Sequence, residues 1–318
     1  MNAKQIVTLG LKVIGLAIIL VLCFMVASAV SGLTATASES IDGQAVQASA
    51  EPSPAEAGAS LLGLFWVSLV ETVVLTIVIL RSRGWGWKLV GAIFLAFYGV
   101  NTVVAQIESL VYLPDQLPPG MIPQLFTVGA IQAGLFSPLA VLILGKIRRG
   151  PESPTPNPRL ILPAGEWAWK LAVIAIACVV LYYSFGYFVA WKNPAVQAYY
   201  GGIDPGSFFA QIAGIWATSP WMFLLQALRA MLWVAFSLPV IRMHQGRPWE
   251  VAVTVGLLFA VWTVQLLLPN PFMPPAVARA HLVETAPFNL IFGCLVGWLL
   301  SQRHTPARAR VKYAEGLS

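Results

Sequence analysis

Glu71, Asn101, Gln106, Glu108, Arg229 and Asn289 are the side chains best placed to do chemistry, because each lies within a long apolar run. Charged and amide groups are costly in hydrocarbon; there they face protein or a cavity and mark ligand or proton sites. Glu71 and Arg229 are the charges deepest in their runs. Their simplest arrangement is a pair or one shared network, since an unpartnered buried charge is costlier still. Asn101 and Glu108 are seven residues apart, so they share one helix face. Together the six residues predict a polar pocket for a small polar molecule or a lipid headgroup.

A second constellation is His281 and Glu284, three residues apart and therefore on one helix face. With Glu108 they form a minimal ligand set, and imidazole plus carboxylate suits zinc or iron. The same groups would serve an intramembrane enzyme as acid and base at the outer leaflet. No HExxH pattern accompanies them, and Glu284 equally suits the first turn of a helix, where its charge meets the positive dipole end. A third reading is a scaffold, in which Asn101, Gln132, Gln226 and Gln265 only join helices, at about 0.6 kcal/mol per hydrogen bond. The chain has no phosphate-cradling glycine loop, no GxSxG elbow and no CxxC. Tyr183 and Tyr187, four apart, are further candidates to line the pocket.

The elements that hold these residues follow from composition. Of 318 residues 58% are hydrophobic and 10% charged, against about 25% charged in soluble domains. Mean hydropathy is +0.76. Only a lipid bilayer can cover such a surface. The net charge of +6 sits in short turns and not on one basic face, which excludes nucleic acid as a partner. Cys23, Cys178 and Cys294 all lie in apolar runs and read as small hydrophobes.

Eight runs are long enough to cross a bilayer, which takes about 20 residues. They cover about 6–30, 61–80, 88–113, 122–145, 167–191, 220–241, 251–268 and 284–301. The expected fold is therefore all-α, a polytopic membrane protein with eight transmembrane helices. The first run ends in Ala27-Ser-Ala29 and resembles a signal peptide; its length favours an uncleaved helix. Residues 31–60 read as a flexible outer loop, and Pro205 to Ala217 as a short interfacial helix.

Sixteen of the 19 Lys and Arg fall at one end of these eight runs. Lys192 and Arg279 fall opposite, and Arg229 lies within a run. The positive-inside rule makes the basic end cytoplasmic and places both termini there, in the cell membrane. Counting about 1.5 Å per residue from the basic turns puts Glu71 about 15 Å up and Asn101 and Arg229 about 20 Å up. The polar pocket should thus open outward above an apolar floor.

The chain also divides into two parallel four-helix halves, 1–149 and 167–302, joined by a Pro-rich cytoplasmic linker at 150–166 and followed by a basic tail at 303–318. Arg81-Ser-Arg83-Gly84 is echoed by Arg242-Met-His244-Gln-Gly246, and each half has a Pro-rich outer break.

Overall fold

The computed structural model describes residues 2–33, 54–113, 117–148, 159–270 and 272–302, with residues 54–57 described by backbone alone. Most of the predicted loop at 31–60, the first part of the linker at 150–166 and the tail at 303–318 lie outside the described residues. Every element among the described residues is a helix. The chain runs through α1 (Ala3–Ser31), α2 (Pro54–Leu80), α3 (Gly86–Tyr112), α4 (Met121–Ile143) and α5 (Ala164–Ala190). It continues through α6 (Pro194–Tyr200), α7 (Phe208–Thr218), α8 (Trp221–Met243), α9 (Pro248–Leu267) and α10 (Pro275–Ser301). All but α6 and α7 are long and apolar enough to span a membrane, eight in total among the described residues. The protein is an all-α polytopic membrane protein.

Local chemistry sets the ends. Asn2 caps α1 in a reciprocal box with Gln5, and Gly32 closes it at φ 72°. Pro194, Pro248 and Pro275 each open a helix where their missing N–H costs nothing. Rings near the helix ends, among them Trp87, Trp216, Trp221 and Trp249, remain exposed, as interfacial anchors do. A short apolar helix, α7, forms largely within the stretch expected to be helical and leaves Phe209 exposed.

One boundary differs from the sequence expectation. The last spanning helix begins at Pro275, not near residue 284. The stretch Ala276-Val-Ala-Arg-Ala-His281 has low hydropathy but strong helix formers. It buries Val277 and Ala280 against Ala190 and Val196. Glu284 consequently sits in the third turn of α10 and does not cap its start.

Three spanning helices leave the α form on the side opposite the basic turns. Gly99–Val104 within α3 and Gly186–Ala190 within α5 are π-helical, and Trp262–Leu267 within α9 is 3-10. Such segments free backbone groups and are tolerated where protein or a cavity surrounds them. Gly99 is needed for space: a Cβ there would lie 2.1 Å from the Phe236 ring of α8. Helices α9 and α10 pack still closer, since a Cβ on Gly293 would stand 2.7 Å from Gly256 Cα. Gly293→Val should force these helices apart and cost about 1–3 kcal/mol or more; an unchanged unfolding midpoint in detergent would contradict the packing.

The basic face is laced together. Arg83 N–H donates to Met243 O (2.7 Å) and Gln245 N–H to Arg81 O (2.8 Å), forming an antiparallel bridge of Ser82 with His244. Arg159 donates to the carbonyls of His244 and Gly246. A buried Glu166–Lys170 pair (2.8 Å) fastens the start of α5, and Lys170 Nζ also donates to the Gln302 carbonyl at the end of α10.

His244 is buried in this knot. Its Nδ1 accepts Gly246 N–H (2.8 Å), and Nε2 meets Thr254 Oγ1 at 3.0 Å. Burial, with repulsion from Arg159 and Arg81, pushes its pKa down from 6.5 to about 4. The folded protein then binds this proton less readily than the unfolded chain does, so stability rises with pH across that window and is lost as pH falls from 6.5 towards 4. His244→Gln should flatten that slope in thermal unfolding measured against pH. An identical slope in the variant would refute the assignment.

Ser82 and His244, Trp87 and Trp249, and Phe97 and Phe259 are each separated by one and the same interval along the chain. The ring pairs Phe97–Phe136 and Phe259–Phe292 have centroids 5.8 and 5.9 Å apart.

Candidate functional site

The polar residues fall into three groups on the side opposite the basic turns. The first joins α2, α3 and α9. Glu71 is 3% exposed, and its Oε1 accepts Asn101 Nδ2 at 3.1 Å and Gln265 Nε2 at 2.8 Å. Asn101 sits in the π-helical turn of α3 and Gln265 in the 3-10 turn of α9. The two irregular turns thus offer their amides to one carboxylate.

The second group joins α3 to α8. Arg229 Nη2 pairs with Glu108 Oε1 at 2.6 Å, and Nη1 donates to Gln226 Oε1 at 2.6 Å. Gln226 Nε2 and Tyr182 Oη both donate to Tyr112 Oη, at 3.2 and 3.0 Å. The expected pairing of Glu71 with Arg229 is therefore corrected: Arg229 takes Glu108, and Glu71 takes two amides. The reason is the close approach at Gly99 and Phe236. From that contact Glu108 and Arg229 each lie about two turns further out on antiparallel helices, which brings them face to face.

The third group lies on α10 and α6. His281 Nδ1 and Glu284 Oε2 are 2.8 Å apart, and Tyr200 Oη meets His281 Nε2 at 3.1 Å. Burial pushes the Tyr200 pKa upward, so the phenol keeps its proton.

The second and third groups meet at a small void, with room for about one water molecule. Its polar lining is Glu108, Arg229, Glu284, Thr285 and Asn289, and its aromatic lining is Tyr182, Phe185, Trp262 and Phe288. Four of these residues straddle Pro287, which lacks the N–H of a regular turn. Three buried polar atoms of the lining residues have no hydrogen-bond partner: Arg229 Nε, Trp262 Nε1 and Asn289 Oδ1. Orphaned buried groups are rare and point to an occupant such as water or a ligand. Exposure falls inward, from 27% for the Glu108 side chain through 12% for Glu284 to 4% for Arg229.

Of the predicted ligand residues, the void thus gathers Glu108, Arg229 and Asn289. Glu71 and Asn101 form their own cluster, and Gln106 lies outside the lining with its Oε1 unpartnered. The expected ligand set of His281, Glu284 and Glu108 does not form: among the described residues no three His, Cys, Asp or Glu side chains could hold one metal ion, because Glu108 is drawn to Arg229. Tyr183 and Tyr187 do not line the void either. Tyr183 packs on Phe223 at 4.8 Å and Tyr187 contacts Lys192 at 3.1 Å. Tyr112, Tyr182, Tyr200 and Trp262 are the participants that sequence reasoning missed.

Fold and site together define a multi-pass membrane protein with a buried polar network on the side away from its basic turns. No family model matches the chain, and no match was found among curated proteins or solved structures.

Proposed function

We propose that this protein binds a small polar ligand, in a transport-like role, at the void enclosed by α3, α5, α8, α9 and α10. The observation that carries this reading is the set of unpartnered atoms, Arg229 Nε, Trp262 Nε1 and Asn289 Oδ1, around one lined space. A purely structural network would satisfy its own donors and acceptors, because an orphaned buried group costs about 1–3 kcal/mol. The void is closed down to about one water, so ligand entry requires the carboxylate end to open. The irregular turns at 99–104, 186–190 and 262–267 are the segments suited to such movement.

Orientation follows from charge: the basic turns face the cytoplasm and the site opens outward from a cell membrane. The halves 1–149 and 167–302 form a parallel duplication whose two basic turns meet at the Ser82–His244 bridge.

The test is a thermal-shift screen of purified protein against amines, amino acids, polyols and carboxylates, run beside Asn289→Leu. At least one compound should stabilise the wild type and leave the variant unmoved; a screen in which both respond alike sinks the reading. For orientation, Ile203→Cys, 89% exposed in the loop between α6 and α7, in a background with Cys23, Cys178 and Cys294 replaced, should react with a membrane-impermeant thiol reagent from outside the cell. Labelling only from the cytoplasmic side would reverse the topology.

The Tyr200–His281–Glu284 chain also has the order of an acid–base relay, which an intramembrane enzyme would use. Both hydroxyls in the lining are already engaged: Thr285 donates to the His281 carbonyl at 2.6 Å and Tyr182 to Tyr112 Oη at 3.0 Å. Binding therefore remains the reading the geometry favours.

A further inference from the structure

Resting on that reading, we infer that the ligand presents an ammonium group, carried either by a free small amine or by an ethanolamine-type lipid headgroup. The void settles the sign of its occupant. An Arg in a pocket ordinarily invites an anion, but both terminal nitrogens of Arg229 are engaged, Nη2 by Glu108 and Nη1 by Gln226. Its charge is answered within the protein. A second carboxylate, Glu284, lines the same space, while its partner His281 lies outside the lining. Two carboxylates therefore surround the void against one guanidinium. An entering phosphate or carboxylate would face excess negative charge in a low-dielectric site, whereas an entering cation would restore neutrality.

The remaining wall agrees. Asn289 is 1% exposed, and its Oδ1 is an acceptor without a donor. The rings of Tyr182, Phe185, Trp262 and Phe288 line the same space. Aromatic faces attract cations, more strongly where water is excluded. A primary ammonium matches the water-sized space and brings three N–H donors for Asn289 Oδ1, Glu284 and Glu108. A quaternary ammonium brings none and is far larger. The N–H groups of Arg229 Nε and Trp262 Nε1 need an acceptor, which a water entering with the ligand supplies, or a hydroxyl or ester oxygen next to the amine.

The experiment uses full-length protein in nanodiscs of phosphatidylglycerol, with radiolabelled ethanolamine as probe and scintillation proximity as readout. Saturable binding is expected, competed by methylammonium and not by acetate or inorganic phosphate. Glu284→Gln should weaken it by at least about tenfold. Nanodiscs containing phosphatidylethanolamine separate the two sources: loss of probe binding identifies the lipid headgroup, and unchanged binding identifies the free amine. If acetate or phosphate binds at the site and ethanolamine does not, the inference is overturned while the ligand-site reading stands. If no probe binds saturably, both fail. Ethanolamine binding that is indifferent to Glu284→Gln in a variant that folds normally also overturns it. The competition pattern of the wild type decides the sign of the ligand even where a variant does not fold.

Discussion

Arg229→Met is expected to be the most damaging single substitution at the site. It removes the guanidinium from a side chain 96% buried and leaves Glu108 and Gln226 facing each other without their common donor. Breaking one partner of a buried pair costs about 3–5 kcal/mol, because the surviving charge keeps its desolvation penalty and loses its compensation. Thermal unfolding in detergent should show a large drop or no folded protein at all. The companion measurement is the double variant Arg229→Met with Glu108→Gln. It carries no uncompensated charge at this position, and it should regain most of the lost stability. It should not regain ligand binding, since both groups line the void. If the single variant is as stable as the wild type, Arg229 is not buried as described. If the double variant binds as the wild type does, Arg229 and Glu108 only hold the fold.

The legible part of this molecule was what lipid imposes on a sequence. Each spanning helix must be apolar along its length, so eight runs could be counted without knowing how they pack. The basic turns were legible for the same reason. What the sequence could not show was rotation and adjacency. Tyr182 and Tyr183 are neighbours about 100° apart around α5, and only the packing of α5 against α8 and α10 selects Tyr182 for the void. The partner of Arg229 was hidden too. Glu71 and Glu108 lie on different helices at different heights, and the choice between them depends on the approach of α3 to α8 at Gly99. The early start of α10 escaped because Ala276-Val-Ala-Arg-Ala-His281 is helical by propensity and not by hydropathy. That one boundary moved Glu284 from a helix start to the wall of the void. Of the six expected pocket residues, Glu108, Arg229 and Asn289 gather at the void, Glu71 and Asn101 gather at the irregular turns, and Gln106 joins neither.

The second large effect concerns the cluster that the void leaves out. Glu71→Leu should destabilise the protein by about 1–3 kcal/mol for each amide it orphans, since Asn101 Nδ2 and Gln265 Nε2 both donate to the same Glu71 oxygen. Glu71→Gln is the informative partner. It keeps an Oε1 that accepts both amides, it removes the charge, and it leaves the packing volume unchanged. Among the described residues no cation pairs with Glu71, so the negative charge is not needed to hold a salt bridge, and burial opposes it. The expected result is a Gln variant as stable as the wild type or more so, with ligand binding retained within about twofold. Binding lost in a stable Gln variant would mean that the ionised carboxylate does work at the site, and would join the two polar clusters into one functional unit. Between these outcomes stands the physical role of the irregular turns. Gln265 and Trp262 belong to the same 3-10 segment of α9, one fastened to Glu71 and the other lining the void. Loss of the Glu71 anchor in the Leu variant should therefore loosen the Trp262 wall, weakening ligand binding even in molecules that remain folded, while the Gln variant leaves that wall in place.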